Sequence, residues 1–361
     1  MKHDIHPAAS SYGFDEHRLR EAIDLSLANE IDWPCDLYAA LEQGVLDSPP
    51  YNIALGITRP RGGVNGVVLR RGETVATWGD VERPDFTFSV AKSYLALLAG
   101  VAFRDGLIID VDAPLYHLHL DDSFSQLQNR TITWRHLLQQ TSEWEGTLFD
   151  LPDLVDRNRG LAPDGDNALK GTHRDLQRPG QFWEYNDVRV NLLSLCLLKL
   201  FARPLPEVLR DEIMRPLGAS DTWHWHGYRN SFVEVDGRSM ASVPGGTHWG
   251  GGLCINSLDH ALVGELVLQR GYWSGEEILP AVWIEEMLAP CEIRPDYGYL
   301  WWLNTSYAIS ANADASDVFA MGAGGNVIWI NLTNELVVVV RWLQPAMLDR
   351  FIATVLKSIS E

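Results

Sequence analysis

Three stretches of this chain carry side chains suited to covalent chemistry. The first is Ser89-Val90-Ala91-Lys92. On a helix, residues three apart share one face, so a lysine amine there can reach a serine hydroxyl. The start of a helix also supplies unpaired backbone N–H groups and a partial positive charge. A serine hydroxyl is a weak nucleophile and needs a base within hydrogen-bond reach. Lys92 can serve while neutral, as that base, or while charged, by stabilising a second one. It lies inside the otherwise apolar run FTFSVAKSYLALLAG, where an ammonium is costly without a partner. The second stretch is Pro179-Gly180-Gln181-Phe182-Trp183-Glu184-Tyr185-Asn186-Asp187, ahead of the helical VRVNLLSLCLLKLF. Taken alone, Tyr185 is a packing residue more readily than a catalytic one. Beside a cation, however, a phenol gives up its proton more easily. The third is Phe319-Ala320-Met321-Gly322-Ala323-Gly324-Gly325-Asn326, entering a strand. Glycines there permit either a plain turn or a backbone close enough to aim an N–H at an oxyanion.

The elements that must position these residues are readable from periodicity. Leu19, Ile23, Leu27 and Ile31 recur every four residues, predicting an amphipathic helix over 17–31. Residues 66–70 and 73–79 read as strands around Arg71-Gly72, and Ser89 to Arg104 as a buried helix. Residues 105–240 read as helical segments with a polar loop over about 151–180. A helix over 257–270, strands over 326–331 and 335–343, and a helix over 347–359 close the chain. The expected fold is α+β: an antiparallel sheet flanked by helices and drawn from both chain ends. Residues 1–104 and 241–361 would form it, 105–240 an inserted, mostly helical domain, with the active site in the cleft between them.

Composition narrows the partners. Of 361 residues, 48 are acidic and 29 basic, a net charge of −19, which argues against nucleic acid as a partner. Only five of the basic residues are lysines (2, 92, 170, 199 and 357). No apolar run reaches the roughly 18–20 residues of a membrane span; Leu192 to Phe201 is broken by Ser194 and Lys199. The opening Met1-Lys2-His3-Asp4-Ile5-His6 lacks the apolar core of a secretion signal. Cysteines 35, 196, 254 and 291 form no Cys-x-x-Cys pair, so free thiols in a cytoplasmic protein are expected. His117-Leu118-His119 and His224-Trp225-His226 have a spacing that zinc can use but no further ligand pattern, so no metal is expected. Gly245-Gly246-Thr247-His248-Trp249-Gly250-Gly251-Gly252 reads either as a loop entering a strand or as a cleft wall bearing His248 or Trp249. No Gly-Lys-Ser/Thr follows it, so no phosphate site and no cofactor are expected.

Taken together these motifs resemble the serine β-lactamase and penicillin-binding-protein superfamily, in its class C β-lactamase-like esterase branch. Ser89-Val90-Ala91-Lys92 matches its Ser-x-x-Lys, and Tyr185-Asn186-Asp187 its Tyr-x-Asn. Thr131 through Ser142, Arg215-Pro216-Leu217-Gly218-Ala219, Gly251-Gly252-Leu253 with Ser257-Leu258-Asp259, and Gly325 through Leu336 are similar to further segments of the group. The resemblance implies that Ser89 is acylated while Lys92 and Tyr185 handle its proton. Laying Ala320-Met321-Gly322 on the family's Lys-Thr-Gly makes Ala323 the second oxyanion donor after Ser89, with Gly322 and Gly324, like His248 and Trp249, near the substrate.

Two departures matter. Ala320 stands where the family has lysine or histidine, so weak or absent hydrolysis of β-lactams is expected. Asp187 replaces asparagine, and a carboxylate near Lys92 favours its charged form, which shifts the base's task to Tyr185. The expected function is a serine hydrolase acting on a small ester or amide, with carboxylesterase activity favoured. D-aminopeptidase, amide hydrolase or transacylase activity at the same site is the alternative, and a non-catalytic binding or sensing protein on this scaffold is the alternative from another class. A metal-dependent hydrolase ranks third.

Overall fold

The computed structural model of the chain describes residues 3–6, 9–161 and 167–360. Its framework is a seven-stranded antiparallel sheet. In chain order the strands are β1 (His3–Ile5), β2 (Asn65–Arg70), β3 (Glu73–Trp78), β4 (Trp302–Leu303), β5 (Val318–Gly322), β6 (Asn326–Asn331) and β7 (Leu336–Arg341). In space they run β1-β3-β2-β7-β6-β5-β4, so both chain ends build one sheet. β2 joins β3 through Arg71 and Gly72, both left-handed (φ 54° and 80°), the geometry of a tight hairpin turn. In the centre, Val68 faces Val338 and Ile328 faces Val339 across neighbouring strands.

β2, β6 and β7 are buried on both faces, which is why NVIWIN and LVVVVR are apolar runs rather than alternating ones. Alternate residues still divide between two cores. Val67, Leu69, Ile328, Val337 and Val339 point to one core, and Val68, Trp329, Val338 and Val340 to the other. The second core is covered by α1 (Glu16–Ala28) and by the closing helix Leu348–Lys357. The helix expected over 17–31 ends at Ala28, because Asn29 leaves helical geometry and its Nδ2 donates back to the Leu25 carbonyl at 2.7 Å.

The first core holds α2 (Val90–Arg104), α3 (Asp187–Phe201) and α4 (Ser257–Leu268). Every residue of α2 from Val90 to Ala102 is buried, so this helix has no solvated face and Lys92 is inside the protein. Across 105–240, α3 is the one long helix among the described residues. Short helices (Trp134–Leu138, Leu205–Leu209) and small hairpins make up much of the remainder. Ion pairs of Arg174 with Glu143 and Glu184, and of Asp153 with Arg189, hold the polar 151–180 segment down. Residues 162–166 of that segment, and Met1 and Lys2, lie outside the described residues.

Candidate active site

Ser89 stands at the entrance to α2, partly exposed between buried neighbours, and its hydroxyl makes no capping bond. Phe88 before it takes a left-handed φ of 49°, a costly conformation for a bulky residue that the surroundings must enforce. Thr87 is fixed from two sides. Its N–H donates to the Leu253 carbonyl at 3.0 Å, and its hydroxyl lies 2.8 Å from His260 Nε2. His260 Nδ1 is in turn 2.8 Å from the Tyr94 hydroxyl on α2. Burial, with Arg341 nearby, holds His260 well below its ordinary value, so a neutral ring links strand and helix ahead of Ser89.

Lys92 Nζ donates to Ser89 Oγ at 2.9 Å and to the Gly245 carbonyl at 3.3 Å, and it lies 2.5 Å from Asp187 Oδ1. Two of its N–H bonds are therefore donated, and the Asp187 carboxylate balances its charge as an ion pair. Burial opposes the charge most strongly, but Asp187 and Tyr185 together outweigh it and raise the lysine above its usual value. Burial would likewise raise Asp187, yet Lys92, Arg159 and His248 hold it well below the carboxylate range. A charged Lys92 has no lone pair with which to take a proton from Ser89.

Tyr185 reaches the same place from the turn before α3. Its neighbours are anchored on Gln140: the Glu184 N–H donates to the Gln140 carbonyl at 3.0 Å, and the Asn186 N–H to Gln140 Oε1 at 2.9 Å. Asn186 also caps α3 through its side chain, which accepts from the Val188 and Arg189 N–H groups. Over the Tyr185 ring lie two cations, Lys92 Nζ at 4.8 Å and the Arg159 guanidinium at 5.3 Å from the centroid. The ring stacks on Trp302 at 5.9 Å and meets Trp183 and Tyr297. Trp183 and Trp302 are partly exposed, so they form an aromatic edge beside the site. The Tyr185 hydroxyl makes no hydrogen bond among the described residues.

The end of β5 completes the arrangement. A Cβ on Gly322 would stand 2.3 Å from the Thr87 carbonyl and 3.2 Å from the backbone nitrogens of Ser89 and Val90. Only glycine allows the strand so close to the helix start. Ala323 follows directly, and neither its N–H nor that of Ser89 has an acceptor among the described residues. Gly324 turns away and packs against Trp342 and Trp33. Ala320 is buried in the core it shares with α2 and brings no charge.

The glycine-rich segment divides. Trp249 is buried, 1% exposed, against His248 and Tyr228, and so presents no open wall. His248 is also buried, with Nδ1 3.3 Å from Asp187 Oδ2 and Nε2 2.8 Å from Asp47 Oδ2. Gly246 does face the chemistry: a Cβ there would lie 3.5 Å from Lys92 Nζ and 3.8 Å from Ser89 Oγ. Sequence reasoning did not single out Arg159, Asp156, Asp47 or Lys170. Arg159 Nη1 meets Asp187 Oδ2 at 3.1 Å, and Lys170 Nζ meets Asp47 Oδ1 at 2.7 Å and Asp156 Oδ1 at 3.3 Å. The one available signal was the scarcity of lysine, which made Lys170 worth locating.

Residues 57–346 match the Beta-lactamase family model, a span that includes every residue of this site from Ser89 to Ala323. No curated protein matches the chain. Similar solved structures include a putative beta-lactamase from Bacteroides dorei DSM 17855 (TM-score 0.61, 17% identity, covering 96% of this chain and 99% of that one). A penicillin-binding protein homologue from Caulobacter crescentus gives a TM-score of 0.59 at 15% identity, covering 90% and 98%. EstCE1, a hydrolase with promiscuous acyltransferase activity, gives 0.58 at 15%, covering 99% and 100%. At these identities the structures share the fold, while the family match covers most of the sequence: the chain belongs to the beta-lactamase family.

Proposed function

We propose that the protein is a serine hydrolase that forms an acyl-enzyme at Ser89 on a small ester or amide, with carboxylic esters favoured. The observation that carries this reading is the buried Lys92 ammonium, which donates to Ser89 Oγ and the Gly245 carbonyl and is ion-paired with Asp187. Ser89 Oγ attacks the carbonyl carbon and its proton passes to Tyr185, acting as a phenolate beneath Lys92 and Arg159. Lys92 stays charged throughout. The oxyanion is held by the N–H groups of Ser89 and Ala323, each worth about 3 kcal/mol in the transition state. Collapse breaks the bond to the leaving alcohol or amine, which receives the proton from Tyr185. A water then gives its proton to Tyr185 and attacks the acyl carbon. The bond to Ser89 Oγ breaks, the serine recovers its proton and a carboxylic acid leaves.

Ester substrates are favoured by the neutral Ala320, which offers no cation to a substrate carboxylate, and by the aromatic edge of Trp183 and Trp302. Acyl transfer to an alcohol or amine uses the same intermediate, and the acyltransferase activity named for EstCE1 fits that chemistry. A binding-only role would give no reason for a buried lysine aimed at a serine hydroxyl. Incubation with a fluorophosphonate, followed by mass analysis of the Ser89 peptide, tests the reading. An adduct on Ser89 that disappears in Ser89→Ala, together with loss of p-nitrophenyl ester turnover, is expected; turnover untouched in Ser89→Ala would overturn it.

A further inference from the structure

His248 plays no part in those steps, yet it connects Asp187 to the interior. Five groups alternate in sign along one path: Lys92, Asp187, His248, Asp47 and Lys170. Each carboxylate uses different oxygens for its two neighbours. Asp187 meets Lys92 through Oδ1 and His248 through Oδ2, and Asp47 meets His248 through Oδ2 and Lys170 through Oδ1. Arg159 and Asp156 join from the side, 3.6 Å apart. Without the imidazole this buried group holds three cations (Lys92, Arg159, Lys170) and three anions (Asp187, Asp156, Asp47), and is neutral.

Both ring nitrogens of His248 face carboxylate oxygens, 3.3 Å at Nδ1 and 2.8 Å at Nε2. A neutral imidazole has one N–H, so one lone pair would confront a carboxylate, whereas an imidazolium donates on both sides. Burial works against that charge, but Asp187 and Asp47 raise the ring above its ordinary value. Arg159 and Asp156 also act on it, and the Trp249 ring packs 4.4 Å away.

Resting on the assignment of Ser89 as nucleophile, we propose that His248 is a positioning residue that supplies the single unbalanced positive charge of this buried cluster. Through Asp187 and Lys92 that charge favours the Tyr185 phenolate that takes the Ser89 proton and the oxyanion to which the negative charge then passes during acylation. A neutral or absent imidazole leaves Asp187 free to draw fully on Lys92, and the cluster no longer offsets the developing negative charge.

The test is the second-order rate of Ser89 labelling by a fluorophosphonate between pH 5 and pH 10, with thermal melting followed in parallel. In the wild type the rate should fall on the alkaline side as His248 loses its proton. His248→Gln should label roughly tenfold more slowly or worse at neutral pH, the scale of one unit charge about 10 Å away at an effective dielectric constant near 20, and should lose that alkaline limb. Adding Asp187→Asn to His248→Gln restores the net charge of +1, so the double variant should label faster than His248→Gln alone. Asp47→Asn removes only the far partner and should move the limb to lower pH. A wild-type pH profile in His248→Gln, or no recovery in the double variant, overturns the proposal. If His248→Gln does not fold, an unmoved limb in Asp47→Asn overturns it. Absence of any Ser89 adduct in the wild type instead refutes the hydrolase reading itself.

Discussion

The closest approach in the site gives the sharpest expectation. Gly322→Ala would place a methyl 2.3 Å from the Thr87 carbonyl, about 1 Å inside ordinary contact, and 3.2 Å from the nitrogens of Ser89 and Val90. Neither neighbour can rotate away. Thr87 is tied to Leu253 and, through His260, to Tyr94, and Ser89 and Val90 begin a helix buried on all sides. The strand end and the helix start must therefore separate by something near 1 Å, which displaces the Ala323 N–H from that of Ser89. A misplacement of that size costs about 10²-fold in rate, and loss of one oxyanion donor costs about 10²–10³-fold. Overpacking of this kind also costs about 1–3 kcal/mol of stability, so the variant should still fold. The assay is kcat and KM for a p-nitrophenyl ester alongside a thermal melt. The expected result is a kcat lower by about two orders of magnitude, a nearly unchanged KM and a modest drop in melting temperature. A folded Gly322→Ala with kcat close to the wild type would refute the placement of the oxyanion site between β5 and α2.

Other expectations follow from the same geometry. Tyr185→Phe should lose about 10²–10⁴-fold in turnover while melting close to the wild type, because its hydroxyl makes no hydrogen bond that the fold needs; near-normal turnover would remove Tyr185 as the base. A chromogenic cephalosporin should be hydrolysed no faster by the wild type than by Ser89→Ala, since Ala320 supplies no cation for its carboxylate; clear Ser89-dependent hydrolysis would contradict this. Burial alone would raise the Asp47 carboxyl, but His248 and Lys170 bring it down to about 2. A carboxyl lower in the folded than in the unfolded chain stabilises the fold above pH about 4, and the gain is lost as pH falls towards 2. Urea unfolding should therefore show a loss of about 2 kcal/mol over that window in the wild type that is missing in Asp47→Asn; equal losses in both would contradict the assigned pairing.

Much of this molecule was legible because its signals are local. The hairpins around Arg71-Gly72 and Thr333-Asn334 follow from apolar runs broken by turn residues, and they form as read. Ser89 and Lys92 are three apart on a buried helix, so their hydrogen bond needed no knowledge of the remaining chain. Asp187 was legible as a departure from a pattern, and its effect on Lys92 followed from charge alone. What escaped is long-range. Asp47 and His248 meet across 201 residues, and Lys170 reaches Asp47 across 123. Charged residues in loops ordinarily read as solvated, and nothing in their immediate neighbours marks Asp47 as buried or Arg159 as largely enclosed. Trp249 escaped for the opposite reason: its glycine-rich surroundings suggested an open cleft, whereas its carbonyl receives the Leu55 and Gly56 N–H groups and its ring is enclosed.

Covalent acylation of Ser89 is the step on which the proposed function stands. Rapid acid quenching of the enzyme during turnover of an activated ester, followed by intact-mass and peptide analysis, measures this directly. The expected result is a mass increase equal to the acyl group, located on the Ser89 peptide, forming and decaying at rates compatible with turnover and absent in Ser89→Ala. Steady turnover with no acyl group on Ser89, or with the acyl group on another residue, would contradict it.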